Sequence, residues 1–206
     1  MVRALHSRQI PAAAAVLSRA FSADALFAHV FQSPAVMARH APWMFGSWLA
    51  WGIRAGTCWV TEEGSGVMLC HGPGANGYRV VDMLRSGMVL TPFKLPWPVF
   101  ARLGRIGAQI ERRRHEIMRD ERGGQRHWYC QMLGVDPARQ GQGIGSALLR
   151  HLLEQADHAG GCPCYLETSK QSNADFYSRY GFELRGTQPM DGGAWTLYFM
   201  CRPARA

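Results

Sequence analysis

The residues best suited to chemistry lie at 133–146, which read LGVDPARQGQGIGS. An apolar run from Trp128 to Val135 ends at Asp136-Pro137, and three glycines then lead into a helix-patterned segment from Ile144 to Leu153. Glycines let backbone N–H groups approach a ligand closely, and the unpaired amides and positive dipole end of a helix N-terminus attract anions such as pyrophosphate. The pattern therefore predicts a site for a nucleotide-bearing cofactor.

The glycine spacing distinguishes between the kinds of nucleotide site. A dinucleotide-binding fold places G-x-G-x-x-G directly after the strand and an acidic residue about twenty positions further on. Glu167 could serve as that acid, but the glycines here run G-x-G-x-G and five residues, Asp136 to Gln140, intervene after the strand. The sequence also has no G-x-x-x-x-G-K-S/T, which excludes a P-loop.

Two blocks of sequence, in order along the chain, form a single pattern. The first, Gln140-Gly141-Gln142-Gly143-Ile144-Gly145, reads as Q/R-x-x-G-x-G/A. The second comprises YLETS at 165–169, Asn173, Phe176-Tyr177 and Tyr180-Gly181-Phe182. Together they resemble the GNAT superfamily of acyl-CoA-dependent N-acyltransferases, and two motifs in the right order are more specific than one.

Within that superfamily the chain looks most similar to the puromycin N-acetyltransferase-like branch. This similarity rests on HWY at 127–129, LGVDP at 133–137 and LETS at 166–169. The resemblance is close from about residue 127 to residue 201 and weak before that. It implies acetyl-CoA as co-substrate and no metal.

The resemblance also implies where acetyl-CoA binds. Its pantetheine arm would lie in a splay between the strand ending at Val135 and the strand ending at Thr168, as strand addition by a ligand. Its diphosphate would rest on the amides of the glycine loop. Asn173 would form a hydrogen bond with the pantetheine arm, although capping of its own helix is an alternative role. The implied cofactor-binding residues are Leu133, Gly134, Val135, Gln140, Gly141, Gln142, Gly143, Ile144, Gly145, Ser146 and Asn173.

The implied reaction is direct attack of a substrate amine on the acetyl thioester in a ternary complex. It needs a deprotonated amine, a donor for the oxyanion and an acid for the leaving thiolate. Tyr177 matches the family tyrosine beside the CoA sulfur and is the candidate general acid. Core packing is the alternative for the aromatic residues of this segment, and we prefer it for Phe176 and Tyr180.

The general base is the less defined role. Glu167 could accept the amine proton through a water if burial raises its pKa, or it could face away, because side chains alternate along a strand. His127 is expected to be structural, and His71 is a further candidate. Ordered water could also suffice.

The order of elements predicts an α/β fold, as a single GNAT-like domain over residues 1–206 with a cofactor-binding core at about 127–182. We expect a mixed, mostly antiparallel sheet of six to seven strands flanked by helices, with the splay between the fourth and fifth strands. Asp24 should open a second helical region that Pro34 and Pro42 interrupt, and the proline-rich residues 91–99 should form a loop.

The charge composition indicates which kinds of partner the protein could bind. The 23 Lys and Arg residues against 15 Asp and Glu give a formal charge of +8, which suits nucleic acid, an anionic membrane or a polyphosphate cofactor. The densest basic run, at 111–116, carries acids and a helical apolar pattern, so a solvated helix face is favoured over an RNA-binding patch. Nucleic acid is therefore not the expected partner, although it stays open, and a homodimer is possible.

The cysteines and the N-terminus suggest a cytoplasmic protein. Four of the six cysteines lie in apolar strand-like runs, and Cys162-Pro163-Cys164 lacks zinc-site spacing, so we expect reduced thiols and no metal site. The first residues lack a long apolar segment, and no stretch of about eighteen apolar residues occurs, so no membrane association is expected.

Three functions remain open from the sequence. The leading one is acetylation of a small-molecule primary amine; the others are acetylation of a macromolecular amine, such as aminoacyl-tRNA or a protein N-terminus, and non-catalytic acyl-CoA sensing. The N-terminal half is rich in aromatic residues, for which a core role is favoured over a substrate cage. We expect the acceptor to be a hydrophobic or aromatic amine. These aromatic residues are Phe27, Phe31, Trp43, Phe45, Trp48, Trp51 and Trp97.

Overall fold

Seven strands form one sheet in the order β1-β2-β3-β4-β5-β7-β6. The computed structural model describes residues 1–54, 57–74, 80–121 and 126–205. The strands are β1 (Val2–Ala4), β2 (Cys58–Thr61), β3 (Gly66–His71), β4 (Trp128–Val135), β5 (Cys164–Thr168), β6 (Glu183–Met190) and β7 (Trp195–Arg202). The helices are α1 (Ile10–Ala20), α2 (Ala25–Phe31), α3 (Pro34–Arg54), α4 (Val80–Ser86), α5 (Thr91–Lys94), α6 (Trp97–Asp120), α7 (Ile144–His158) and α8 (Gln171–Ser178).

The sheet is antiparallel except where β4 meets β5. These two strands run parallel and are paired at Trp128 with Cys164 and at Tyr129 with Tyr165, after which they part. β5 then pairs with β7 on its other edge. The mixed, mostly antiparallel sheet with a splay between the fourth and fifth strands is confirmed.

Helices cover both faces of the sheet. α1, α2, α3 and α6 pack on one face, where the core includes Phe45 and Tyr165. α7 and α8 pack on the other face, where it includes Leu149 and Leu166. The divergence of β4 and β5 therefore opens a passage between two layers of helices.

Two expectations about prolines were wrong. Pro42 lies inside the continuous helix α3 rather than interrupting it. A proline inside a helix costs about 3 kcal/mol, and burial of Ala41, Met44 and Phe45 on the same helix offsets that loss. The proline-rich residues 91–99 form α5 and the first turn of α6, because prolines in the first turn of a helix sacrifice no hydrogen bond.

The bounds of three other elements, α3, β6 and α4, lie next to a proline or to residues outside the described ranges. Pro34 does end the preceding helical region, since it is the first residue of α3. β6 continues to Met190 through Pro189, which is tolerated because β6 is an edge strand. α4 is described from Val80, and residues 75–79 before it lie outside the described residues.

Among the described residues, no single helix could span a membrane and no cluster of side chains could hold a metal ion. No single described helix is long and apolar enough to cross a membrane, although the sharply bent pair Ser7–Ala20 and Ala25–Phe31 passes by length and composition. Within the described ranges, no group of three or more His, Cys, Asp or Glu side chains is arranged to hold a metal ion. The six cysteines are free thiols.

Candidate active site

The glycine loop turns the chain from β4 into α7. Gly141 and Gly143 have φ values of +77° and +78°, a left-handed conformation that glycine adopts without strain. Gly143 is the N-cap of α7, and its carbonyl accepts the first helical bond from Ala147 N at 3.0 Å. The amides of Ile144, Gly145 and Ser146 precede that bond and therefore have no acceptor within the helix.

Two further contacts fix this loop against the sheet. Gln140 Nε2 donates a hydrogen bond of 3.2 Å to Val135 O, the last carbonyl of β4. A Cβ on Gly145 would lie 3.7 Å from Val135 Cγ2 and 3.8 Å from Leu133 Cδ2. The first turn of α7 thus packs directly beside the open end of the splay.

Gly134 differs from the glycines of the loop. It is buried in β4, and a Cβ there would lie 2.7 Å from Leu17 Cδ2 and 3.1 Å from Ala20 Cβ, both on α1. Close packing of α1 on the sheet therefore requires a glycine at this position.

A β-bulge in β4 shapes the edge of the splay. Cys70 pairs with Cys130 and Leu69 pairs with Met132, so Gln131 is the extra residue. Gln131 Oε1 lies 2.7 Å from His71 Nε2. Since the amide oxygen can only accept, His71 donates this bond.

A cavity of about 760 Å³ passes through the splay and contacts both helical layers. Its wall on the α6 side is apolar and includes Phe27, Met88, Phe100, Leu103 and Ile106. Its polar groups gather along β3, β4, β5 and the facing turn of α6. They include His71, Glu111, Arg114, Tyr129, Gln131 and Glu167.

Tyr177 lines the same cavity from α8, on the opposite face of the sheet. Its side chain is buried, and this burial raises the pKa of the phenol well above its usual value. The hydroxyl is therefore protonated at neutral pH and can act as a proton donor.

Asn173 also reaches the cavity from α8. Its Nδ2 donates a hydrogen bond of 3.1 Å to Thr168 Oγ1 at the end of β5. The N-cap of α8 is Lys170, so the side chain of Asn173 ties the first turn of the helix to the strand rather than capping it.

Glu167 faces the cavity, close to the point where the strands part. Its Oε1 accepts a hydrogen bond of 2.6 Å from the Tyr129 hydroxyl, and its Oε2 is buried with no hydrogen-bond partner among the described residues. Burial raises the pKa of Glu167 to about 7, although the Tyr129 hydrogen bond and the Arg114 charge oppose the shift. Such a pKa suits a group that exchanges protons at neutral pH.

Arg114 is a cavity residue that the sequence analysis missed. The basic run at 111–116 is only partly a solvated face: the side chain of Arg112 is 71% exposed, whereas that of Arg114 is 11% exposed. The Arg114 guanidinium carbon lies 4.5 Å from the centre of the Tyr129 ring, and its Nη2 donates to Glu111. The signal was the helical spacing of Glu111 and Arg114 with the apolar residues Gly107 and Ile110, which point to the same cavity.

The two histidines considered as bases differ in position. His71 is buried, stacks 5.3 Å from Tyr129, and burial lowers its pKa to about 4, so it is neutral at physiological pH. His127 lies just before β4 and is not among the residues that line the cavity.

Comparison with known proteins agrees with this architecture. Residues 101–184 match the model of the acetyltransferase (GNAT) domain family. A solved structure of histone acetyltransferase HPA2 and related acetyltransferase from Corynebacterium glutamicum has a TM-score of 0.67 and 22% identity, and the match covers 100% of this chain and 97% of that one.

Two further solved structures have the same fold at lower identity. For arylalkylamine N-acetyltransferase 2 from Aedes aegypti the TM-score is 0.62 at 12% identity, covering 100% of this chain and 99% of that one. For the ribosomal-protein-S18-alanine N-acetyltransferase from Escherichia coli it is 0.53 at 15% identity, covering 100% and 94%. Residues 101–184 are therefore similar to the GNAT acetyltransferase domain family, and the α/β fold of the chain is GNAT-like.

Proposed function

We propose that this protein transfers an acetyl group from acetyl-CoA to the primary amine of a small molecule, by direct attack in a ternary complex. The observation that carries the proposal is one cavity that runs through the splay and is lined by Tyr177 on one side and Glu167 on the other. Two ionisable groups with displaced pKa values in one cavity are typical of an acid and base pair.

The residues around the splay fit acetyl-CoA. The described pairing of β4 with β5 ends at Tyr129, so the backbone groups of Leu133 and the N–H of Val135 would be available to the pantetheine arm, while Val135 O accepts from Gln140. The amides of Ile144, Gly145 and Ser146 would hold the diphosphate. Acetyl-CoA supplies the acetyl thioester that the amine attacks.

The roles of general base and general acid fall to two residues of this cavity. Glu167, through a water, takes the proton that the attacking amine loses as its nitrogen forms a bond to the acetyl carbon. Tyr177 donates its proton to the sulfur as the carbon–sulfur bond breaks. Protonated Glu167 and deprotonated Tyr177 then return to their starting states by exchange with solvent.

The acceptor is proposed to be a hydrophobic amine. The wall along α6 is apolar, while Glu111 and Glu167 provide carboxylates for an ammonium group. Phe27 and Trp48 line this cavity, whereas Phe45 is buried in the core and Trp97 is 69% exposed. The arylalkylamine acetyltransferase named above acts on amines of this class by its name. The branch that acetylates puromycin stays a prediction from the sequence.

Thiol release from acetyl-CoA would test the proposal. The purified protein is assayed with aromatic amines, aminonucleosides, polyamines, peptides and aminoacyl-tRNA. We expect release with a hydrophobic amine, and a kcat about 100-fold lower in Tyr177→Phe at unchanged affinity for acetyl-CoA. Tyr180→Phe is the matched control, because Tyr180 lies on the same segment but outside the cavity.

Other outcomes would point elsewhere. Release only with a peptide or with aminoacyl-tRNA would indicate a macromolecular acceptor. Tight CoA binding without release for any amine would indicate an acyl-CoA sensor. Full activity in Tyr177→Phe would remove Tyr177 as the general acid.

A further inference from the structure

A second set of charges lies beside the proposed general base. Arg114 and Glu111, one turn apart on α6, both line the cavity, and Arg114 Nη2 donates to the Glu111 carboxylate. The Arg114 guanidinium covers the ring of Tyr129 at 4.5 Å, a distance at which a cation is attracted to an aromatic face. Arg114 has no role in the mechanism above, and Glu111 enters it only as a carboxylate for the ammonium group of the acceptor.

Tyr129 connects this pair to the splay. It belongs to the last residue pair that joins β4 to β5, and its hydroxyl donates to Glu167 Oε1 at 2.6 Å. Glu167 lies two residues beyond Tyr165, the partner of Tyr129 on β5. The hydrogen bond therefore spans the two strands just where they separate.

We propose that Arg114 is a positioning residue for the general base: it holds the Tyr129 ring, and through the Tyr129 hydroxyl it fixes the orientation and charge of the Glu167 carboxylate. The inference rests on the proposed function, because it assigns a purpose to Glu167. It extends that function to helix α6, which the sequence patterns of the cofactor site do not include.

The groups around Glu167 act on its ionisation in opposite directions. Arg114 and the Tyr129 hydrogen bond favour the ionised carboxylate, whereas burial and the Glu111 charge favour the protonated form. Glu111 thus has two opposed effects, since it also anchors Arg114. Among the described residues, the ionisable groups that face Glu167 include Tyr129 from β4, Tyr165 from β5, Arg114 and Glu111 from α6, and Tyr177 from α8.

A purely structural role for Arg114 makes a different prediction. If the side chain only packs α6 against the sheet, its loss would lower stability and activity equally at every pH. If it sets the state of Glu167, its loss would move the acidic limb of the pH profile. A lysine would restore most of the effect, because it returns a cation to the Tyr129 ring.

The experiment measures Glu167 directly and then the reaction. Glutamate carboxyl groups labelled with ¹³C are titrated by NMR in the wild type, Arg114→Met, Arg114→Lys and Tyr129→Phe, with Glu167→Gln assigning the signal. Arg112→Met is the matched control, since Arg112 lies on the same helix and its side chain is 71% exposed. The pH dependence of kcat/KM is measured on the same proteins with the best amine.

We expect the Glu167 midpoint to rise by about one pH unit in Arg114→Met and in Tyr129→Phe. The value of kcat/KM would fall about fivefold at pH 7 and recover to within about twofold of wild type at pH 9. Arg114→Lys would show less than half of the shift, and Arg112→Met none.

The two proposals fail in different ways. An unchanged Glu167 midpoint in Arg114→Met would overturn the positioning role whatever the activity. A shifted midpoint without any change in the pH profile would keep the Arg114 contact but remove Glu167 as the base. An equal loss of kcat/KM at all pH values, with no rescue by lysine, would return Arg114 to a structural role.

Discussion

Ser169 Oγ donates a hydrogen bond of 2.6 Å to Asp24 Oδ2, and this contact joins two residues 145 positions apart in the sequence. Asp24 is also the N-cap of α2, because its Oδ1 accepts from Leu26 N at 3.0 Å and Phe27 N at 3.4 Å. One buried carboxylate thus fixes both the start of α2 and the residue after β5, at the wall of the cavity.

Replacing Asp24 should therefore destabilise the fold. Asp24→Ala removes the cap and leaves the Ser169 hydroxyl without its acceptor, so the free energy of unfolding should fall by about 2 kcal/mol. Ser169→Ala removes only the second contact and should lower it by about 1 kcal/mol. Urea unfolding measures the free energy of unfolding of both variants. Equal stability of Asp24→Ala and wild type would show that the two contacts contribute nothing.

The glycine loop should respond to a methyl group at one position in particular. Gly143 has φ +78°, so Gly143→Ala strains the backbone by about 1 kcal/mol and rotates the amides at the start of α7. We expect lower stability and at least about tenfold weaker CoA binding, measured by calorimetry.

Gly104 provides the control for that substitution. It lies in helix α6, where a Cβ would meet no atom within 4 Å. Gly104→Ala should raise stability by about 0.5 to 1 kcal/mol and leave CoA binding unchanged. If both alanine variants bound CoA equally well, the loop conformation would have no part in binding.

The sequence predicted the elements that are set by local signals. The helix after Gly143 follows from three glycines and an amphipathic repeat, and the splay follows from the family resemblance of the strands ending at Val135 and Thr168. Pro42 was misjudged because its local penalty is outweighed by the burial of α3, which the sequence does not display. Tertiary packing overrides a local rule there.

The polar wall of the cavity was the least predictable part. Arg114 has the residue type and neighbours of a solvated face, and only the docking of α6 over β4 brings it onto Tyr129. Asp24 was expected to begin a helix, but its bond to Ser169 depends on the approach of β5. The helical spacing of α6 indicates that Arg114 can face inward, but the residues that α6 and β5 bring into contact depend on tertiary packing.

Catalysis should increase with pH around neutrality. The pKa of Glu167 is raised to about 7, so the base is half protonated there and kcat/KM should rise through pH 6 to 8. Glu167→Gln should remove this limb and lower kcat/KM about 100-fold at pH 8. Glu62→Gln, at an exposed site, is the control. A limb that persists in Glu167→Gln would belong to the free amine or to another group.

Glu167 should also make the stability of the fold depend on pH, in the direction opposite to its effect on catalysis. The folded state keeps the Glu167 proton to about pH 7, whereas the unfolded chain loses it near pH 4.5. The contribution of Glu167 to stability should therefore fall as the pH rises between these values. The difference in unfolding free energy between wild type and Glu167→Gln, followed across this window, measures the effect.

His71 should make the protein sensitive to acid. Burial lowers its pKa from 6.5 to about 4, so on acidification the unfolded chain takes up the proton first and stability is lost as pH falls through this range. The loss attributable to His71 should reach about 3 kcal/mol by pH 4. His71→Leu should lack this pH-dependent loss, although removal of the His71–Gln131 hydrogen bond lowers its stability at every pH. Parallel curves of stability against pH for wild type and His71→Leu would contradict the assignment to His71.

The apolar wall should set the size of the acceptor. Leu103 lies on α6 and lines the cavity, whereas the glycines of the loop at 141–145 are not among the lining residues. Leu103→Trp adds bulk there, so KM for a large aromatic amine should rise about tenfold or more, while KM for a short alkylamine and the Kd of acetyl-CoA should stay within about twofold. Leu103→Ala should relax the preference towards bulkier amines. If both variants changed the two amines equally, the acceptor would bind on a different part of the cavity, and the α6 wall would serve only to exclude water from the reacting groups.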